Sequence, residues 1–387
     1  MEIEIRKVNS RKDLKKFVDF PFQLFKGNAF WCPPLKFDEI NTLRKDKNPA
    51  FDYCEAEYWL AYQNGKPVGR IAGIINHNEI KRWNANLVRF GWIDFIDDPD
   101  VSRTLVETVI NWGKSKGMTG IHGPLGFTDM DAEGMLMEGF DEISSLSAIY
   151  NFPYYIDHFQ KLGFRKSVDW VQYEIKIPSE VPDKVDRLTK VVLQKYDLHL
   201  LNAVRKKDLL PYITKLFLLY NEAFHDIYGF TALTGKQIDY YKKLYFDFIR
   251  PEFVSMVIDA KDEVVGFGIT MPSLAKALQK ANGSLFPFGF IHLLRAIRKN
   301  HIIHMYLVGV HPDYQGKGLL ALVYHELNKA YLKAGITLAR THPQLEENVK
   351  AVSIWKNYDS RIHIRRRCWI MDNLDNHPVN PVNPVIL

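Results

Sequence analysis

The stretch Val308-Gly-Val-His-Pro-Asp-Tyr-Gln-Gly-Lys-Gly-Leu-Leu320 carries the sharpest chemical signal in the chain. An apolar run enters a proline turn, a glycine-rich loop follows, and an amphipathic run at helical spacing begins near Gly318. The first N–H groups of a helix have no partner within it, and they sit at the positive end of its dipole. Glycine lets an anion reach such groups with no Cβ in the way. The loop is therefore predicted to cradle a pyrophosphate. Two other phosphate motifs do not fit. The chain holds no GxxxxGK[ST], and Gly316-x-Gly318 lacks the third glycine of GxGxxG and its acidic ribose partner.

Other residues could serve this loop. His304 and Tyr306 alternate with Met305 and Leu307, so they share one strand face; facing a cleft it would give a base, and a satisfied, partly buried histidine is the commoner outcome. Glu222, His225 and Asp226 fall near a helix end, where solvated charge is the plain reading. Tyr154 and Tyr155, in Asn151-x-Pro-Tyr-Tyr155, are candidates to line an acceptor pocket between two halves of the chain; core packing is the other use of such residues. Arg361, Arg365, Arg366 and Arg367 suit phosphates, or else an exposed last strand. Cys32, Cys54 and Cys368 are far apart and form no CxxC pair, so neither a metal site nor a disulfide framework is expected.

The elements that position these residues read as a duplication. Ile177–Asp186, with two prolines and four charges, separates residues 1–180 from 181–387. In the first half, residues 2–8 read as a strand and 13–25 as a helix. Residues 58–63 and 67–76 form a hairpin around Asn64-Gly65, and 88–94 form a strand. A helix over 100–116 is capped by Asp100. Late strands over 120–127 and 168–177 flank a short helix over 154–161. In the second half, a strand over 199–204 precedes helices over 208–224 and 236–249. A hairpin follows over 253–259 and 263–270, then a strand over 302–310 and a helix over 318–333 ended by Gly335. A strand over 336–340, a short helix over 348–356 and a last strand over 361–371 complete it. The repeat of roughly 180 residues is too long for a solenoid unit and indicates a duplicated α+β domain. One piece breaks it: Pro272–Asn300 reads as two helices around Gly283–Gly289, apolar on one side and carrying Lys276, Lys280, Arg295, Arg298 and Lys299 on the other.

Composition is that of a globular chain: 387 residues, 47% hydrophobic and 25% charged. The net charge of +6 is uneven. Residues 1–180 hold 23 Lys and Arg against 26 Asp and Glu, net −3, and the rest hold 28 against 19, net +9. An anionic ligand is thus expected in the second half. No apolar run approaches the ~18 residues of a spanning helix, and no signal peptide is read at the start, so a cytoplasmic protein is expected.

The loop resembles the acetyl-CoA loop of the GCN5-related N-acetyltransferase (GNAT) superfamily, [QR]xxGx[GA]. Gln315 and Gly318 match, and Leu320 departs at the last position. Asn348, Ala351 and Trp355 match an Asn, an Ala three on and an aromatic seven on. Lys161-Leu-Gly-Phe164 in the first half matches the usual closing KLGF. The resemblance implies two tandem GNAT-like domains, each a mixed, mostly antiparallel sheet flanked by helices. The first, 1–180, would be a degenerate copy on the acceptor side. The second, 181–387 with the insert 272–300, would bind acetyl-CoA or a longer acyl-CoA through Leu307, Val308, Gly309, Val310, Gln315, Gly316, Lys317, Gly318, Leu319, Leu320, Asn348 and Trp355. An amine would attack the thioester directly. The tyrosine that protonates the thiolate in the family falls on Trp355 here, so Tyr358, one helical turn on, is named with His304 and Tyr306 as catalytic. Glu222, His225, Tyr154 and Tyr155 would bind the acceptor.

A weaker similarity to bacterial ceramide-synthase-type long-chain acyltransferases implies a small-molecule or lipid amine. The insert would then cover a long acyl chain or rest on a membrane; packing as a plain spacer is the other reading. The turn after Val88–Asp94 is acidic, with Asp94, Asp97, Asp98 and Asp100, so one CoA per chain is expected. Two rivals remain: a Fem-type transferase using aminoacyl-tRNA, which lacks such a loop, and a non-catalytic module binding acyl-CoA or lipid. No nucleic-acid partner is expected, and the oligomeric state stays open.

Overall fold

A computed structural model describes residues 2–180 and 183–374. Of the expected divider Ile177–Asp186, residues 181–182 lie outside the described residues, as do 375–387 at the end of the second half. In chain order the first half runs β1 (Glu4–Lys7), α1 (Arg11–Leu24), α2 (Lys36–Thr42), β2 (Cys54–Gln63), β3 (Lys66–Asn76), α3 (His77–Trp83), β4 (Leu87–Phe95), α4 (Pro99–Ser115), β5 (Gly120–Gly123), β6 (Met135–Glu138), α5 (Tyr154–Lys161) and β7 (Arg165–Lys176). The second runs α6 (Asp183–Lys195), β8 (His199–Leu200), α7 (Lys206–Ala223), α8 (Gly235–Tyr245), β9 (Val254–Ile258), β10 (Val264–Pro272), α9 (Ala275–Ala281), α10 (Gly289–Arg298), β11 (Ile302–Val310), α11 (Leu319–Ala334), β12 (Leu338–Thr341), β13 (Gln344–Leu345), α12 (Val349–Val352) and β14 (Ser360–Met371).

One sheet takes in both halves, in the order β1-β2-β3-β4-β5-β14-β7-β12-β11-β10-β9-β8, with β6 and β13 attached at β14 and β7. The halves of the sequence do not part at a sheet edge. The last strand, β14, lies between β5 and β7 of the first half, and β7 in turn pairs with β12 of the second. Side-chain alternation explains how the sheet carries helices on both faces. In β2, Tyr58, Leu60 and Tyr62 pack with α1, and Trp59 and Ala61 pack with α4. In the second half Met256, Ile258 and Phe267 pack with α7 and α8, while Val257, Val265 and Met305 pack with α11.

Several sequence expectations change; the strand expected over 199–204, for one, is only His199–Leu200. Asp98, not Asp100, caps α4: its Oδ1 accepts the Asp100 N–H at 2.9 Å. The strand expected over 120–127 stops at Gly123, because Pro124 has no N–H to extend the ladder. The last strand is central rather than exposed, and its arginines meet carboxylates instead of a phosphate. Arg361 pairs with Glu142 and Glu174, Arg365 with Glu138 and Glu346, and Arg367 with Asp169. Arg366 is fully buried against Gln172.

Candidate functional site

Two strand irregularities build the site. β11 pairs with β12 only over Ile302–Met305 and then parts from it. At the same point its register with β10 shifts, with Thr270 opposite Met305 and Ile269 opposite Leu307, so Tyr306 is the extra residue of a bulge. Among the described residues, the β12 side of the strand has no partner strand from Tyr306 to Val310. The chain then passes His311, whose Nε2 lies 3.1 Å from Glu222, and enters the glycine loop. Gly316 has φ +74° and Gly318 φ +87°, a region costly for any residue with a Cβ. Gly318 is the N-cap of α11 and makes no side-chain cap, so the first N–H groups of the helix are open.

A cavity of about 1510 Å³ passes through the gap between β11 and β12. It is larger than the usual ~300–1,000 Å³ of a small-ligand pocket, which suits two substrates at once. One end is the loop: Leu307, Val308, Gly309, Val310, Gln315, Gly316, Gly318, Leu319, Leu320 and Asn348 all line it. The other end lies under α1, α7, α8 and the insert, where Phe25, Leu209, Ile213, Leu216, Leu274 and Leu278 make it apolar. Thus the structure gathers the proposed cofactor residues, with two exceptions. Trp355 is in the core beside Tyr324, its Nε1 donating to Gln344, and Lys317 stands outside over the rings of Tyr196 and Tyr314. Asn348 caps α12 through the Ala351 N–H.

The candidate catalytic residues separate. Tyr306 faces the cavity with its hydroxyl enclosed and, among the described residues, unpartnered. His304 shares its side of β11, the rings 6.0 Å apart, but stands one layer behind and does not line the cavity. Burial and the nearby Arg340 push it down to about 3, so it is neutral. Tyr358 packs on Trp355 and does not reach the cavity. The acceptor candidates fare worse. Tyr154 donates to the Phe95 carbonyl and the Tyr155 hydroxyl accepts the Phe95 N–H at 2.9 Å, so both fill the first half's own core. Glu222 is held by His311, and His225 lies exposed beside Asp226. None of the four lines the cavity.

The residues missed from sequence are acidic. Between β5 and β6, Asp129, Asp131 and Glu133 face the cavity, each half-buried. Asp131 accepts the N–H groups of Phe127 and Thr128. Burial pushes Asp131 up to about 6 and Asp129 up to about 7, and it drives Glu133 well above the carboxylate range, with Asp129 adding to the effect. Arg89 opposes these shifts, but its guanidinium is already committed to Glu79 at 2.7 Å. The spacing Asp-x-Asp-x-Glu was the only sequence signal, and in a loop it reads as a solvated turn. The acids and the splayed strand line the same cavity, with α7 beside both. Ala223 would be 3.5 Å from a Cβ on Gly309, and Tyr220, one turn earlier on α7, feels both Asp129 and Glu133. His342, after β12, also lines the cavity and is pushed down to about 4 by burial.

Elsewhere, Glu142, Glu174 and His363 bring ligand atoms within 4.8 Å of one another. Arg340 and Arg361 already pair with both carboxylates, which disfavours a cation there. Among the described residues no helix is long and apolar enough to cross a membrane.

Comparison with known proteins gives the fold. A tandem GNAT protein from the clavulanic acid biosynthesis pathway, solved without AcCoA, superposes over 99% of this chain and 100% of its own, with TM-score 0.56 and 12% identity. The chain has the tandem GNAT fold. It is 28% identical over 324 residues to Protein YghO of Escherichia coli (strain K12), covering 80% of this chain and 79% of that one. It is 25% identical over 323 residues to the bacterial ceramide synthase of Caulobacter vibrioides (strain NA1000 / CB15N), covering 81% and 82%. No family model matches the chain.

Proposed function

We propose that this tandem GNAT chain transfers an acyl group from an acyl-CoA to the amine of a lipid-like acceptor. The carrying observation is one cavity that joins the glycine loop, the splayed strand and the half-buried acids. Similarity to a bacterial ceramide synthase supports a long-chain amine among the acceptors a GNAT fold could serve.

The residues present fit the CoA end. Gly316 and Gly318 keep the main chain bare, and the opening N–H groups of α11 offer donors to a pyrophosphate. When bound, the acyl-CoA supplies a thioester carbonyl open to attack by an amine. The chain's own groups do the rest. The edge of β11 from Tyr306 to Val310, unpaired among the described residues, offers backbone N–H donors where charge develops on a carbonyl oxygen. The Asp129–Glu133 loop attracts an ammonium into a dry site and accepts its proton; an acid tuned near neutrality suits that task. The apolar wall formed by Leu209, Ile213, Leu216 and Leu278 takes hydrocarbon and excludes water.

The test is titration calorimetry with acetyl-CoA and palmitoyl-CoA, followed by thiol release on adding a long-chain amino alcohol or a short amine. Binding that strengthens with acyl length, at one CoA per chain, and release that needs the long amine are expected. No binding of either CoA ester overturns the proposal. Binding without release to any amine leaves a ligand-binding module and overturns the transferase.

A further inference from the structure

The insert has two faces with different fates. Leu274, Leu278 and Leu293 are buried against Cys32 and Leu35 of the first half, and all five line the cavity. To that extent the insert is a domain-packing element and a cavity wall. Its other side is bare. Phe286 is 78% exposed, Phe288 68%, Leu294 47% and Phe290 40%. Phe290 and Leu294 stand one turn apart on α10, and Phe286 and Phe288 lie in the turn before it. Phe37, 74% exposed, belongs to the same region, because the neighbouring Lys36 N–H donates to the Gly283 carbonyl at 3.0 Å. Scattered exposed apolar residues need no explanation, but several large ones in one patch do.

Charge indicates what covers the patch. Residues 272–300 hold five basic side chains and no acidic one, and all five are exposed. A second copy of this face would bring like charges together. A surface that is both apolar and anionic satisfies both features, and a leaflet rich in acidic phospholipid is such a surface. We propose that α10 and the turn before it dock the protein on an anionic bilayer, with Phe286, Phe288 and Phe290 entering the headgroup boundary and Arg295, Arg298 and Lys299 meeting phosphates. The buried face of the same insert walls the apolar end of the cavity, so docking sets that end against the membrane. This goes beyond the transferase reading and does not depend on it.

The experiment is co-sedimentation of the full chain with vesicles of equal parts phosphatidylglycerol and phosphatidylcholine, compared with phosphatidylcholine alone. Preference for the anionic vesicles of at least about tenfold is expected, falling with salt. Replacing Phe286→Ser, Phe288→Ser and Phe290→Ser together should cost at least about tenfold. Arg295→Gln with Arg298→Gln should cost about tenfold and flatten the salt dependence. Melting curves and acetyl-CoA titration should match wild type, since these side chains do not line the cavity. If the triple variant does not fold, Phe288→Trp replaces it, with quenching by brominated lipid above the wild-type background expected. Equal or absent binding to the two vesicle types overturns the proposal. So does a patch whose serine variant sediments like wild type, or one whose loss changes only the oligomeric state in light scattering, which would make it an interface between copies.

Discussion

The turn from β4 to α4 and the turn from β11 to α11 occupy matching places, yet only one is open to a phosphate. Each parent strand is antiparallel to its predecessor, parallel to its successor over a few residues, and bulged: β4 beyond Gly91, β11 at Tyr306. In the first half the helix N-terminus is taken by the chain's own anion, the Asp98 carboxylate, and the Phe95 N–H by the Tyr155 hydroxyl. In the second half Gly318 stands at the cap with no side chain, and the strand edge is free among the described residues. A duplicated frame has thus been filled from within on one side and left open on the other. The closed half still reaches the same cavity, since its Asp129–Glu133 loop lines it together with the open half's strand.

Closing the open turn should have the largest effect. Gly318→Val places a β-branched residue at φ +87°, with its Cβ 3.2 Å from Val192. Loss of acyl-CoA affinity by at least about 100-fold is expected in calorimetry. Gly316→Ala, where no atom lies within 4 Å of the new Cβ, should cost less and isolates the backbone term. Equal binding by wild type and Gly318→Val would separate the loop from the ligand and remove the contrast.

Removing an acid that the closed half lends should come next. Asp129→Asn is expected to lower kcat about 10²-fold with acyl-CoA affinity unchanged. The base form of Asp129 forms above about 7, so wild-type activity should climb as pH rises through neutrality, and the variant should lose that limb. Stability moves the other way. The unfolded value is near 3.9. A carboxyl raised by folding holds its proton more tightly when folded, so this contribution is present at low pH and lost as pH rises from about 4 to about 7. Asp129→Asn should therefore be more stable at pH 8, by on the order of 1–3 kcal/mol, seen as a higher melting temperature. A variant that loses activity and stability together would mark Asp129 as structural.

Uncapping the closed turn tests whether its own anion is what excludes a phosphate. Asp98→Ala should cost about 1 kcal/mol, seen as a lower melting temperature. Calorimetry should still count one CoA per chain, because Asp97, Asp94 and the Tyr155 hydroxyl remain around the turn. A count rising toward two would show that one carboxylate alone separates the halves.

What was legible in the sequence follows from range. The loop at Gln315–Gly318, the hairpins and the insert's two helices were readable because glycine, proline and apolar period act locally. α5 falls on the residues its pattern indicated. The strand exchange of β7 and β14 was not readable: an interior strand looks alike whichever sheet partner it finds, and pairing 185 to 205 residues apart leaves no local mark. The acids failed for a related reason. Asp129, Asp131 and Glu133 gain their character from desolvation in a cavity that they share with residues far along the chain, and that is invisible in a loop sequence. Tyr154 and Tyr155 failed in reverse: their richness in rings was core packing.

The smallest expected effect concerns the two tyrosines of the open half. By family spacing Tyr358 was the substitute proton donor, one turn past Trp355. The helix ends early: α12 stops at Val352 and a 3-10 turn carries residues 353–357, so Tyr358 swings behind Trp355, the rings 5.8 Å apart. Burial raises its phenol pKa, and it does not line the cavity. Tyr306 is on the bulge itself, with a hydroxyl enclosed in the cavity and, among the described residues, unpartnered. Tyr358→Phe should therefore change kcat by less than about twofold, whereas Tyr306→Phe should lower it about tenfold with little change in acyl-CoA affinity. The reverse ranking would put the proton path through the helix after Asn348, as in the family pattern, and would take the bulge out of the chemistry.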